Sequence, residues 1–299
     1  MNRFFQVTIL IIICFFSQAS DISAFYLSSS IEEGTIILRS DNRPLIQGDL
    51  LKISLEAPSL LRAEAHFDGL DVPFVSTGKD TGFFALIGAG LETVPGAHDL
   101  RVDIFFSRNR HREFTVRLNV AEGTFPQRKI TVARKYVAPL PAEELRIKKE
   151  RAIVNAAYRN PELQWRGTGG FIYPVKGGIS GTFGDKRLFN NGYVSRHRGI
   201  DLRSPRGKEV HASNGGTVVL VHDLYYAGKT VIINHGAGLF SIYCHLSKAH
   251  VKKGNTIRKG AVIGRIGSTG RVTGPHLHWG IKLRNRFVNP LSLMHIHFD

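Results

Sequence analysis

The sequence predicts an all-β protein, built as two β units joined by a short helix. Three observations carry that expectation. Residues from about 25 to 130 alternate apolar and polar side chains with a period of two. After about Gly167, short apolar runs are punctuated by glycines. Only Pro141 to about Tyr158 spaces its apolar residues as a helix does. A length of 299 residues suits about two domains, each able to bury a core. Hydrophobic residues at 42% and charged residues at 21% exclude a disordered, collagen-like or polytopic chain.

In chain order, residues 1–24 read as an export signal. Arg3 supplies a short positive start, and Phe4 to Phe16 is a nearly unbroken apolar run, short for a membrane span of about 20 residues. Ser17-Gln18-Ala19 is a small-x-small cleavage pattern, and a cut after Ala24 is the other candidate. The alternative is an uncleaved N-terminal anchor, the one case in which the membrane becomes a partner. Cys14 does not read as a lipidation site, because Ile13 before it is not small and Phe15-Phe16 continue the apolar run.

Residues 25–135 are expected to form a β-sandwich-like accessory domain. Leu51, Ile53 and Leu55 alternate with Lys52 and Ser54; Leu100, Val102 and Ile104 alternate with Arg101 and Asp103; Phe114, Val116, Leu118 and Val120 continue the pattern. Turn signals at Gly48-Asp49, Asp68-Gly69 and Pro95-Gly96 separate the strands. Residues 136–166 read as a helical linker. Pro141 fits a first helical position, Glu143-Glu144 favour the positive helix start, and Asn160-Pro161 marks the end.

Residues 167–299 form the second β domain. Its strand candidates are Thr217 to Val221, Thr230 to Asn234, Leu239 to Cys244, Ala261 to Ile266 and His276 to Leu283. Charge is concentrated here: from Phe171 onward there are 19 basic and 5 acidic residues, against 21 and 19 in the first 170. Ten of the 13 histidines lie in the same part. Such a field favours a polyanionic partner. Nucleic acid is disfavoured by the export signal and by the lack of a recognised binding motif. After signal removal Cys244 is the one cysteine left, so neither an intramolecular disulfide nor a cysteine zinc site is available. Its apolar run, Leu239 to Leu246, marks it as a buried, inert thiol.

Three short pieces carry the chemistry: His197-Arg198-Gly199-Ile200-Asp201, Tyr243-Cys244-His245 and His276-Leu277-His278. Residues two apart on a strand share a face, so His276 and His278 project together. By the same rule Tyr243 and His245 share a face, opposite Ile242 and Cys244. A catalytic zinc takes three His or carboxylate ligands and keeps one position open. Two histidines and Asp201 make such a set, leaving other histidines for proton transfer. Asn190 and Asn191 lie in a loop, Leu188 to Arg196, that could wall or gate a groove. His235 in Asn-His-Gly reads as a turn residue, and His295 and His297 form a second His-x-His that is not expected to bind metal, having no carboxylate pattern nearby apart from Asp299.

These segments resemble the M23 family of zinc peptidases, the LytM or lysostaphin type. The resemblance spans about Tyr173 to Pro290. It rests on Phe183-Gly184, His197 to Leu202, Asn234-His235-Gly236, Leu239 to Leu246 and Gly267 to Gly280, the last containing Gly274-Pro275-His276-Leu277-His278-Trp279-Gly280. It implies a compact antiparallel β peptidase domain with a groove over one Zn2+ ion. It makes His197, Asp201 and His278 the metal ligands and His245 and His276 the catalytic histidines, and none of these five departs from the family pattern. It implies peptidoglycan as substrate and an exported, periplasmic or envelope address, with further partners among wall-synthesis or regulatory proteins. D-Ala to diaminopimelate bonds are the expected target, since no wall-targeting repeat is visible. The alternative is a non-catalytic LytM-type activator or wall-binding protein.

Overall fold

A computed structural model describes residues 10–11, 25–31, 34–41, 43–78, 82–108, 110–159 and 162–298. Apart from Leu10 and Ile11, the expected leader, its cleavage sites and Cys14 lie outside these residues, as do Asn160 and Pro161. Among the described residues no helix is long and apolar enough to cross a membrane. The chain divides into two compact units, Met1–Gly123 and Thr124–Asp299.

The first unit is a sandwich of two sheets. One runs Leu10–Ile11, Tyr26–Ile31, Gly34–Ser40, Leu50–Glu56, Gly82–Gly88, Val75–Ser76; the other runs Leu45–Ile46, Arg110–Ala121, Gly96–Ser107, Arg62–Phe67, Leu70–Pro73. The period-two pattern is what closes it. Leu51, Ile53 and Leu55 from one sheet meet Leu100, Val102, Ile104, Leu118 and Val120 from the other in a single core, while Lys52 and Ser54 point away.

The second unit is built on a ten-stranded sheet. Its functional strands are β1 (Ile179–Gly181), β2 (Ile200–Arg203), β3 (Gly216–Leu224), β4 (Gly228–Gly236), β5 (Leu239–Ala249), β6 (Val262–Ile266) and β7 (His276–Leu283). The central order is β1-β2-β7-β5-β4-β3, and every pair in it is antiparallel. Strands β4 and β5 are buried almost throughout, which is why their sequences read as apolar runs rather than as alternations.

The helix α1 (Pro141–Ala157) begins at Pro141, with Glu143 Oε2 accepting from the Leu140 N–H at 2.8 Å. It is not a free linker. Arg146 donates to the Asp223 carbonyl at 2.9 Å, and the Tyr225 N–H donates to the buried Glu150 carboxylate at 2.7 Å. Val154, Ala157 and Tyr158 pack on Leu220, Ile232, Phe240 and Ile242. Ahead of the helix, Gln127–Ile130 pairs in parallel with Lys186–Phe189, which pairs in turn with Val194–Arg196. The compact second unit therefore starts at Thr124, earlier than the boundary expected from the end of the β pattern at 135, and it includes the segment expected to link the domains.

Candidate metal centre

Register places the polar residues. Asp201 on β2 pairs with His278 on β7, which pairs on its other side with Cys244 on β5. Residues directly opposite share a face, so this row sets Asp201 and His278 side by side, and His276 lies two residues along the same face. His197 enters from the turn just before β2. Its backbone is held by reciprocal contacts: the His197 N–H donates to the Asp185 carbonyl at 2.9 Å, and the Gly184 N–H to the His197 carbonyl at 2.8 Å. Gly199 is required by close approach, because a Cβ there would lie 2.5 Å from the Trp279 carbonyl oxygen and 2.8 Å from the His278 ring.

Three ligand atoms converge. His197 Nε2 lies 2.9 Å from His278 Nδ1, and each lies 3.1 Å from Asp201 Oδ1. The proton on His197 is fixed elsewhere, since Nδ1 donates to the Thr182 carbonyl at 2.7 Å and leaves Nε2 as a lone pair. Tetrahedral zinc with bonds of about 2.0–2.1 Å sets ligand atoms roughly 3.3 Å apart, so the triangle fits such an ion with a small expansion. Charge fits as well. Burial pushes His278 down to about 4, leaving its imidazole neutral at pH 7. Burial pushes Asp201 up, but its close contacts with the His197 and His278 rings outweigh it and hold the carboxyl below the usual range. Among the described residues this is the one cluster of three His, Cys, Asp or Glu side chains arranged to hold a metal.

His245 and His276 stand beside the triangle, their rings 4.9 Å apart, and His276 Nε2 lies 3.6 Å from Asp201 Oδ1. Each Nδ1 donates to a carbonyl, that of Thr269 at 2.8 Å for His245 and that of Gly274 at 2.9 Å for His276. Both Nε2 atoms are therefore free to accept. Burial, with His276 and His278 nearby, pushes His245 down to about 3, so it stays neutral at pH 7.

Strict alternation fails at one point. Tyr243 and His245 were expected on one face; they are on different faces. Lys229 pairs with Leu246 and Val231 with Tyr243, so two residues of β5 oppose one of β4. This bulge holds His245 at φ 65° and turns its ring towards His276 and His278. Tyr243 stays beneath the sheet, fully buried, where Ser213 and Ser241 hydrogen-bond its hydroxyl. His235 is not a turn residue: it lies on β4, fully buried, bonded to the Gly215 carbonyl and Ser241 Oγ. Cys244 is buried, and burial pushes its thiol up to about 12, which keeps it inert.

Sequence reasoning did not find the supporting residues. Arg187 donates to Asp201 Oδ2, the oxygen facing away from the triangle. Buried Asp185 pairs with Arg128 Nε at 3.0 Å and bonds Thr182 through both its N–H and its hydroxyl. Thr182 in turn holds His197, so Arg128 acts on the site through three contacts. Asn190 and Asn191 do not line the triangle. Asn190 bonds both the N–H and the carbonyl of Val132, and Asn191 the carbonyl of Val137, fixing the loop to the segment before α1.

Comparison with known proteins agrees with this fold. The profile of Peptidase family M23 matches residues 195–290. Peptidoglycan DD-endopeptidase ShyA of Vibrio cholerae is 44% identical over 123 residues, 40% of this chain and 29% of that protein. DD-carboxypeptidase/endopeptidase Mpg of Neisseria meningitidis is 42% identical over 97 residues, 32% of this chain and 22% of the relative. Each match spans less than a third of the curated relative's length. The crystal structure of a Pseudomonas aeruginosa protein assigned to peptidase M23 superposes with a TM-score of 0.65 at 30% identity. That match covers 85% of this chain and 96% of the other, too long a stretch for the second unit alone. By fold, by motif and by this shared length, the chain belongs to the M23 peptidase family.

Proposed function

We propose that the protein is a zinc-dependent endopeptidase that hydrolyses peptide cross-links of bacterial peptidoglycan, at D-Ala to diaminopimelate bonds. One observation carries the reading: His197 Nε2, Asp201 Oδ1 and His278 Nδ1 meet at 2.9–3.1 Å beside two histidines whose Nε2 atoms are free. In this reading His197, Asp201 and His278 hold the ion. Zinc bound there would supply Lewis acidity and activate water for attack on a peptide carbonyl. His245 and His276 do the proton work. One accepts a proton at its free Nε2 from the attacking water and delivers it to the leaving amine; the other, once it carries a proton at Nε2, donates that N–H to the developing oxyanion. Arg187 orients Asp201 so that a single oxygen faces the ion.

The names of ShyA and Mpg, peptidoglycan DD-endopeptidase and DD-carboxypeptidase/endopeptidase, support the substrate and bond. The apolar N-terminal run supports an exported, envelope address. A non-catalytic wall-binding or activator role is disfavoured by the two histidines, because such a role gives no reason for the strained backbone at His245. The test is hydrolysis of purified sacculi with mass spectrometry of the released muropeptides. Full-length protein should carry one zinc per chain and release cross-link fragments. His278→Ala should lose the zinc and reduce hydrolysis by more than 1,000-fold. Undiminished digestion by that variant would overturn the assignment.

A further inference from the structure

The loop 267–275, between β6 and β7, supplies both carbonyls that hold the histidines, those of Thr269 and Gly274. Arg271 lies between them. Its N–H donates to the Tyr226 carbonyl at 2.8 Å, and its guanidinium carbon stands 4.3 Å from the Phe189 ring centre and 4.7 Å from that of Tyr226. Ring contacts of this kind attract the charge without using its N–H donors. Among the described residues no carboxylate pairs with Arg271. The buried carboxylates nearest the site are already committed, Asp185 to Arg128 and Asp201 to Arg187. Burial lowers the Arg271 pKa, and Tyr226 and Tyr193, not a carboxylate, are the groups opposing that fall. A half-buried cation without an anion is costly to hold.

Phe189 lies two residues from Arg187 on Lys186–Phe189, so both side chains share a face. Two residues of strand span about 7 Å. Arg187 grips Asp201 at one end of that span, and Arg271 rests on the ring at the other. A fork of unused donors thus stands within about two peptide residues of the metal triangle. Tyr193, 58% exposed, stacks on Phe189 and extends the same wall towards solvent.

We propose that Arg271 anchors a free carboxylate of the peptide substrate, carried within about two residues of the scissile bond. This deepens the endopeptidase reading and rests on it: the enzyme would select acidic peptides and discriminate against those whose carboxylate is amidated. Arg271 would then set specificity through a bidentate guanidinium–carboxylate contact, and lysine cannot reproduce that geometry.

The experiment uses the full-length zinc-loaded protein and two synthetic cross-linked peptides that differ by amidation of one carboxylate beside the scissile bond. Cleavage rates and equilibrium binding are measured for wild type, Arg271→Gln and Arg271→Lys, with thermal midpoints to confirm folding. Wild type should favour the free acid by roughly 10- to 100-fold in kcat/KM. Arg271→Gln should treat both alike, and Arg271→Lys should keep a reduced preference. Equal cleavage of acid and amide by wild type, or an equal loss on both in Arg271→Gln, overturns the anchor. If Arg271→Gln fails to fold, Arg271→Lys decides: an unreduced preference for the acid overturns the anchor. If wild type cleaves neither peptide, the endopeptidase reading fails, and binding decides the anchor separately: equal affinity for acid and amide overturns it.

Discussion

His245 stands at φ 65°, a conformation that L side chains adopt at a cost and glycine adopts freely. The strain serves position, because regular alternation would carry the ring beneath the sheet beside Tyr243. This separates stability from activity at one residue. His245→Gly should unfold at a higher denaturant midpoint than His245→Ala, by about 1 kcal/mol, while both lose hydrolysis alike. Urea unfolding of the two metal-free variants measures it; an alanine variant as stable as the glycine one would show that the backbone there relaxes without cost. That five polar residues would come together was legible in the sequence, because three short motifs carry them. The face of His245 was not, since a bulge leaves no mark in a period-two pattern. His235 was misread because Asn-His-Gly looks the same at a turn and at the end of a buried strand.

Among the elements, the helix was found from Pro141, the paired glutamates and its charged face, but its packing could not be. Its contacts to Asp223, Tyr225 and Phe240 cross 75 or more residues of chain. The short strands Ile179–Gly181, Lys186–Phe189 and Val194–Arg196 were missed for a related reason. Each has three or four residues, too few to show a period, and each is fixed by pairing with distant chain. The segment before the helix matters most. Removing Gln127–Ile130 strips Arg128 from buried Asp185; Arg128 is itself 46% exposed, so solvent screens the pair and its loss costs about 1–2 kcal/mol. A fragment Thr124–Asp299 should therefore unfold cooperatively. A fragment Gly167–Asp299 should be less stable by about 1–2 kcal/mol or more and bind zinc more weakly. Chemical denaturation and competition with a zinc chelator compare them; equal values would show that the segment is an accessory to the unit, not part of it.

For the whole molecule, the charge imbalance seen in composition falls on the unit that holds the candidate metal centre, with 19 basic and 5 acidic residues from Phe171 onward. Several of these charges are structural: Arg187, Arg196 and Lys259 each hold a specific oxygen. The exposed remainder supplies a long-range field, and exposed charges are screened over about 8–10 Å at physiological salt. Retention of the protein on purified sacculi should fall by about tenfold or more between roughly 50 and 500 mM salt. Pull-down across a salt series measures this, and salt-independent retention would assign wall binding to contacts other than charge.

The loop 267–275 fastens both histidines and carries Arg271, so under the proposed roles rate and substrate choice share one short stretch of backbone. Inheritance of the two traits is therefore linked. A lineage that reshapes this loop to accept a different wall chemistry also shifts the proton-transfer pair, and new selectivity would first emerge in slow enzymes. Recovery of speed would then depend on changes in the residues that touch the loop, Tyr226, Phe189 and Lys229, and not on the five residues proposed to carry the chemistry.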